Sequence, residues 1–466
     1  MPKIPLVVIG AGPGGLCAAT TAARLGVPVV VLDEQPSPGG QVYRAIAQAP
    51  AERVAMLGAD YQRGAELVAA FNASGAEYWP QTTIWSLNSK REIGILRQGQ
   101  ARLIEAEQVI IANGAMERPV PFPGWTLPGV MNAGAAQLLL KMSGVVPANG
   151  TVIAGIGPLP LLVAWQYLRT GVAIKAVLDL APSLNLWRAV PHLPRALRAG
   201  DYLHRGLKYT LDLQRGGVPI YYGVSHLRAE GNDRVEAVTY GWNQFGVRRS
   251  ETLPTESLLV HFGVIPRTNL TRAAGCEHHW DRGQQCWRPQ VDLWGYTTVP
   301  GLAIVGDSAG IGGARSAEYR GRLAAFEAAR YLQRISVQQR DRKAQNDLKG
   351  LQRDLQVRPF LEALHRLPES LLVPADDDTL VCRCEEISAG QIRAAVRTGH
   401  LDPNQVKFNL RCGMGPCQGR QCAPAVAHLV AAEQHRPVSD YQPFRVRPPI
   451  RPLSLAQLAS LERAEQ

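Results

Sequence analysis

The chain opens on an apolar run, Ile4 to Ile9, that condenses into a buried strand. An Ala-rich helical stretch over 13–25 follows, and then a second apolar run over 27–32, Val-Pro-Val-Val-Val-Leu. This order predicts one βαβ unit. Helical periodicity around 60–72 and strand-like runs near 82–86 and 92–96 lead to a buried strand closing in Gln108-Val-Ile-Ile-Ala-Asn-Gly-Ala115. A second βαβ unit is predicted from Thr151-Val-Ile-Ala-Gly-Ile-Gly157, a helix to about 170 and a strand over 172–178. Residues 184–214 read as basic and helical, 218–222 and 235–240 as strands, and 258–264 as a further apolar run. A last strand over 302–305 precedes a helix over 314–332, and 333–375 reads as a polar, largely helical connection.

The stretch 142–168 lacks charged side chains, yet Pro147, Pro158 and Pro160 with Gly144, Gly150, Gly155 and Gly157 would break a spanning helix. It reads as loop, strand, glycine turn and helix start, so no transmembrane segment is expected. With 46% apolar and 19% charged residues, the 466-residue chain can bury large cores, which excludes whole-chain disorder or a coiled coil. The first residues show no secretory signal pattern, and a cytoplasmic location is expected. The net charge of +11 comes from scattered basic residues without blocks or interleaved aromatics. This points to a basic docking surface rather than to nucleic acid.

Gly10-Ala-Gly12-Pro-Gly-Gly15 follows a strand and opens a helix, and Asp33 ends the next strand. Gly10 permits the tight turn, Gly12 the approach of a pyrophosphate and Gly15 close packing of helix on strand; the phosphate then meets unpaired N–H groups at the helix start. Asp33, or its neighbour Glu34, would accept hydrogen bonds from a ribose. Residues 110–115 and 299–307, Val-Pro-Gly-Leu-Ala-Ile-Val-Gly-Asp, resemble the two later fingerprints of the two-dinucleotide-domain flavoprotein superfamily. The resemblance implies FAD, with Asp307 on the ribityl chain and Gly14, Gly40, Gln41, Gly114 and Gly306 along the cofactor. No CxxC or CxxxxC pair precedes residue 382, which argues against disulfide reductase activity; Cys17 reads as a core residue.

The second turn, Gly155-Ile-Gly157-Pro-Leu-Pro160, has proline where a third glycine would stand, with Asp179 ending the next strand. It leaves open an NAD(P) site, another adenine nucleotide site or a degenerate one.

Five of the eight cysteines, Cys382, Cys384, Cys412, Cys417 and Cys422, crowd near the C-terminus. In a cytosolic chain this favours metal over disulfides. Four thiolates suit a [2Fe–2S] cluster, with tetrahedral zinc as the alternative. The run Arg411-Cys-Gly-Met-Gly-Pro-Cys-Gln-Gly-Arg-Gln-Cys422 resembles the bacterioferritin-associated-ferredoxin-like domain. The resemblance implies Cys382, Cys384, Cys417 and Cys422 as ligands, with Cys412 outside the set.

Together with Asp33-Glu-Gln-Pro-Ser-Pro-Gly-Gly-Gln-Val-Tyr-Arg44, this run makes the chain resemble the α (A) subunits of multi-subunit bacterial FAD-dependent amine dehydrogenases: opine oxidase, D-hydroxyproline dehydrogenase and hydrogen cyanide synthase. The implied fold is α/β, with two Rossmann-like dinucleotide-binding domains of the glutathione-reductase-like flavoprotein type plus a small helical [2Fe–2S] domain. Expected boundaries are 1–117 and 296–332 for the FAD domain, 118–295 for the NAD-binding-like domain, 333–377 for the connection, 378–434 for the iron–sulfur domain and 435–466 for a Pro-rich tail. The implied role is electron relay in a hetero-oligomer. The amine site would lie on a flavin-containing β subunit; an FMN at the interface and a small γ subunit complete the expected assembly. No catalytic residue is assigned: His261, His278 and His279 read as structural. The alternative is a stand-alone NAD(P)H:acceptor oxidoreductase.

Overall fold

The computed structural model describes residues 3–244 and 247–461. The chain divides into two compact units, one of Met1–Met116, Val264–Gln356 and Val446–Gln466, the other of Glu117–Gly263 and Val357–Arg445.

The first unit is built on strands β1 (Ile4–Ile9), β2 (Val29–Leu32), β3 (Glu77–Trp79), β4 (Thr83–Leu87), β5 (Glu92–Arg97) and β6 (Gln100–Ile111), in the order β3-β2-β1-β6-β5-β4. The strand Leu302–Ile304 pairs with β6 in parallel. β6 has two halves with different surroundings. Residues up to Glu105 pair antiparallel with β5 and alternate between exposed and buried, whereas 108–111 are flanked by parallel β1 and Leu302–Ile304 and are buried throughout. The alternation in the first half carries the charged residues Arg102, Glu105 and Glu107 between buried ones, and the apolar reading begins only at Gln108.

Helix α1 (Pro13–Arg24) starts with proline at its first turn and buries Leu16, Cys17, Ala18, Ala19 and Ala22. It crosses the helix Ala314–Tyr331 at glycine: a Cβ on Gly321 would lie 2.1 Å from the Gly14 carbonyl oxygen. Burial pushes the Cys17 thiol up to about 12, so it is the inert core residue expected.

The structure apportions three spans differently from the sequence expectation. Residues 264–295 join the first unit, because Leu270, Ala274 and Cys276 pack into its core. The connection is split: Val337–Leu355 is a helix of the first unit, while Leu367 and Leu372 enter the core of the second. The tail is split as well. Ile450 is buried in the first unit's core and its N–H donates to the Trp85 carbonyl, so this segment lies over its own chain.

The second unit holds a five-stranded parallel sheet in the order Ile220–Tyr221, Ile174–Asp179, Thr151–Gly155, Leu258–His261 and Val130–Asn132. A three-stranded antiparallel sheet, Val224–Glu230, Ala237–Gln244 and Val247–Pro254, stands beside it. The cysteine-rich segment belongs to the same unit, as helices Ala389–Arg397, Pro403–Leu410 and Ala423–Glu433 around Ile392, Val406, Val426 and Leu429. Trp125 anchors it, donating from Nε1 to the Leu380 carbonyl at 2.7 Å. Among the described residues no helix is long and apolar enough to cross a membrane, and 142–168 resolves into the end of one helix, a loop, the strand Thr151–Gly155 and all but the last residue of the helix Pro158–Arg169.

Candidate flavin and iron–sulfur sites

The first glycine turn closes with no slack. A Cβ on Gly15 would sit 1.8 Å from the Gly10 carbonyl oxygen, and one on Gly40, which has φ +62°, would sit 2.6 Å from Gly12 Cα. Helix, strand and the Gly39–Gly40 loop therefore meet backbone to backbone. Among the described residues no side chain caps α1, which leaves its first N–H groups for an anion. The later fingerprints converge on the same place. Gly14 approaches Gly306, and Gly10 approaches Ala112 and Asn113; the N–H of Gly114 donates to Ser308 Oγ at 2.9 Å.

The acids at this place also hold the chain around them. Asp33 accepts the Ala11 N–H on Oδ2 at 2.6 Å and the Gln35 N–H on Oδ1 at 2.7 Å, so it also ties the turn together. Burial raises its carboxyl above the usual range against these two bonds. Glu34 pairs with Arg451 of the tail at 2.8 Å. Asp307 Oδ1 accepts the N–H groups of both Gly312 and Gly313 at 2.9 Å, shaping the loop before the helix Ala314–Tyr331. Gln41 is exposed in the turn after Gly40.

Sequence reasoning misses two cations at this place. Arg44 and Arg267 both have their guanidinium pKa lowered by burial, and both feel Asp33. Arg44 Nε is buried without a hydrogen-bond partner among the described residues. An unsatisfied guanidinium nitrogen near Asp33, the acid that holds the glycine turn, fits an anionic ligand. The position of Arg44 directly after Gly39-Gly40-Gln41-Val-Tyr43 is the one signal for it; Arg267 has none.

In the second unit, Cys382, Cys412 and Cys422 bring their sulfurs within 4.8 Å of one another, all buried. Cys382 accepts from the Cys412 and Cys422 thiols and from the N–H groups of Gly413 and Glu385, which holds it well below the ordinary thiol range. The Cys384 sulfur accepts the Cys417 N–H and shares a hydrogen bond with its thiol. Cys384 is exposed and Cys417 half-buried. The structure thus groups Cys412 with two of the expected ligands and sets the other two beside each other. Gly415 lies so close to Cys384 that a Cβ there would be 2.3 Å from the Cys384 Cβ, folding the glycine loop onto the Cys-x-Cys segment. Thiols from converging loops with amide N–H groups aimed at sulfur fit an iron–sulfur centre.

Elsewhere in this unit, the buried His261 places Nδ1 2.6 Å from Oε1 of the half-buried Glu117, a pair that sequence reading does not connect. At the second glycine turn, the Pro160 ring occupies the space beside Gly155: a Cβ on Gly155 would be 3.0 Å from Pro160 Cγ. Asp179 accepts the Ala181 N–H at 2.9 Å, and burial raises it to about 6. In the first unit, His278 is structural, bonded to Thr271 and to the Cys276 carbonyl, with burial lowering it to about 3.

The raised carboxyl of Asp179 binds more protons folded than unfolded, so this group makes stability fall as pH rises from about 4 to 6 and stay low above. Asp179→Asn is expected to raise stability at pH 7.5 by on the order of 2 kcal/mol and to change nothing at pH 4. Thermal melts of the two proteins at both pH values check this.

Glycine turn, buried cations and a thiol-rich helical module on a Rossmann-like scaffold define an FAD-dependent, iron–sulfur-type oxidoreductase. The chain belongs to the pyridine nucleotide-disulphide oxidoreductase family, whose model matches residues 4–330, and residues 380–432 match the BFD-like [2Fe-2S] binding domain. It is 42% identical to the A-subunit of opine oxidase from Agrobacterium tumefaciens (strain Ach5), over 98% of this chain and 91% of that protein. It is 32% identical to hydrogen cyanide synthase subunit HcnB of Pseudomonas aeruginosa, over 89% and 90%. Among solved structures, L-proline dehydrogenase from P. horikoshii shares the fold with a TM-score of 0.69 at 18% identity, covering 98% of this chain and 79% of that one.

Proposed function

We propose that this chain is the electron-relaying subunit of a multi-subunit dehydrogenase that oxidises a secondary amine or amino acid of the opine, D-hydroxyproline or glycine class. The observation that carries the reading is the union, in one chain, of a flavin cradle and a five-thiol cluster. When bound, FAD accepts electron pairs and passes on single electrons, and a [2Fe–2S] cluster carries one electron at a time. Gly10, Gly12, Gly15, Asp33, Gly40, Arg44, Gly306 and Asp307 would hold the FAD; Cys382, Cys384, Cys417 and Cys422 would hold the cluster. The relatives named as subunits of opine oxidase and hydrogen cyanide synthase support a hetero-oligomer. On this reading the amine is oxidised to an imine on a flavin-containing β subunit, with an FMN at the shared interface and a small γ subunit completing the complex. Among the described residues no two cysteines are joined in a disulfide.

Pro160 stands where the first turn has Gly15, and this argues against NAD(P)H as the electron source. It leaves Asp179 and the open surroundings of Gly157 as the parts that would meet another adenine nucleotide. Rapid mixing of the FAD-loaded chain with NADH and with NADPH is expected to leave the flavin absorbance unchanged over seconds. Full bleaching within that time would favour a stand-alone NAD(P)H:acceptor oxidoreductase.

A further inference from the structure

The loop after Asp307 is buried although its backbone is irregular. Ser308, Ala309 and Ile311 are all buried, while Gly310 and Gly313 take φ +131° and +95°, values that interrupt regular pairing. Buried N–H and C=O groups still need partners, and here side chains supply them. Asp307 takes the N–H groups of Gly312 and Gly313. Arg320, on the helix Ala314–Tyr331, donates to the carbonyls of Gly306 at 3.1 Å and Gly310 at 2.8 Å. Ile311 is served by a different element. Its N–H donates to Gln284 Oε1 and its carbonyl accepts from Gln284 Nε2, both at 2.9 Å. A primary amide gives and takes in one plane, so a single side chain does for Ile311 what a neighbouring strand would do.

Gln284 is itself held in place. It lies in the turn between the antiparallel strands His278–Asp281 and Cys286–Pro289. Asp281 Oδ1 accepts the N–H groups of Gly283 and Gln284, both at 2.9 Å, and its Oδ2 pairs with Arg288 at 2.9 Å. Across the hairpin Trp280 and Trp287 meet edge to face, with ring centroids 6.0 Å apart. A hairpin turn needs only glycine, asparagine or aspartate to close; this one also aims an amide at the loop. We propose that Gln284 is a positioning residue for FAD: it fixes the loop Gly310–Gly313, directly after the acid expected on the ribityl chain, in the shape that receives the cofactor. This role needs only the FAD cradle and not the electron relay, and it is tested without amine or partner.

The test is an FAD titration of the full-length chain after removal of its flavin, followed by flavin fluorescence at about pH 8 and about pH 5. Gln284→Leu loses both bonds to Ile311 and is expected to bind FAD about tenfold more weakly than wild type at either pH. Gln284→Glu separates structure from positioning within one protein. As a carboxylate it accepts the Ile311 N–H but turns its second oxygen on the Ile311 carbonyl with no proton to give; as the neutral acid it does both, like the amide. That carbonyl and the loss of water favour the acid form, which raises the glutamate above its ordinary value. The surrounding charges are Asp281, His279 and Arg288 on the hairpin and Asp307 and Arg320 on the loop and helix, and wild type measured at each pH accounts for them. Gln284→Glu is therefore expected to be as weak as Gln284→Leu at the higher pH and within about twofold of wild type at the lower. Wild-type affinity in Gln284→Leu, or a Gln284→Glu chain equally weak at both pH values, overturns the proposal. So does a lower melting temperature of the flavin-free variants with FAD affinity unchanged, which would leave Gln284 a role in folding alone.

Discussion

Cys384→Ser and Cys417→Ser, each made alone, are expected to abolish the iron–sulfur centre, whereas Cys412→Ser keeps two irons and two labile sulfides per chain. The contrast matters because the thiols pack in a different grouping: Cys412 lies with Cys382 and Cys422, and Cys384 lies with Cys417. The Cys-x-Cys spacing and the fold of the Gly415 loop onto Cys384 support the outer pair as ligands. Cys412 then serves as a buried thiol that donates to Cys382. Iron and sulfide assays with the visible spectrum of each variant decide the matter. Loss of the centre in Cys412→Ser with retention in Cys384→Ser would reassign the ligand set.

The flavin cradle makes an equally sharp prediction at Gly15. A methyl group there would meet the Gly10 carbonyl oxygen at 1.8 Å, and neither backbone can yield without moving α1 off the strand. Overpacking of this kind costs about 1–3 kcal/mol, equivalent to roughly 5- to 150-fold weaker retention of flavin. Gly15→Ala is therefore expected to purify largely colourless at about 450 nm, the flavin band, while far-ultraviolet circular dichroism still reports an α/β protein. A stoichiometric flavin content in that variant would show that the turn does not bear on the cofactor.

The parts legible in the sequence are those with a strong local period or a fixed spacing. The strand–turn–helix at Ile4–Arg24 and the helix Ala314–Tyr331 stand within a few residues of expectation, because apolar runs and glycine punctuation leave few other readings. The first half of β6 is not legible, since its alternating charges imitate a loop until β5 pairs with it. The strands Val224–Glu230 and Val247–Pro254 are hidden in the same way, as hairpin partners whose outer faces are polar. Contacts across long sequence separations leave no local trace at all. Glu117 meets His261 across 144 residues, Arg451 meets Glu34 across 417, and Arg267 approaches Asp33 only through the fold. The ligand motif is visible as a spacing, but the burial of Cys412 beside two of its members is not.

The relay itself is tested most directly by following flavin absorbance when substrate amine is mixed anaerobically with the isolated FAD- and cluster-loaded chain, and again once the flavin-containing partner has been added. The expected result is no bleaching by amine alone and rapid bleaching when the partner is present. Rapid reduction of the isolated chain by amine would place the oxidation site on this polypeptide and contradict the account.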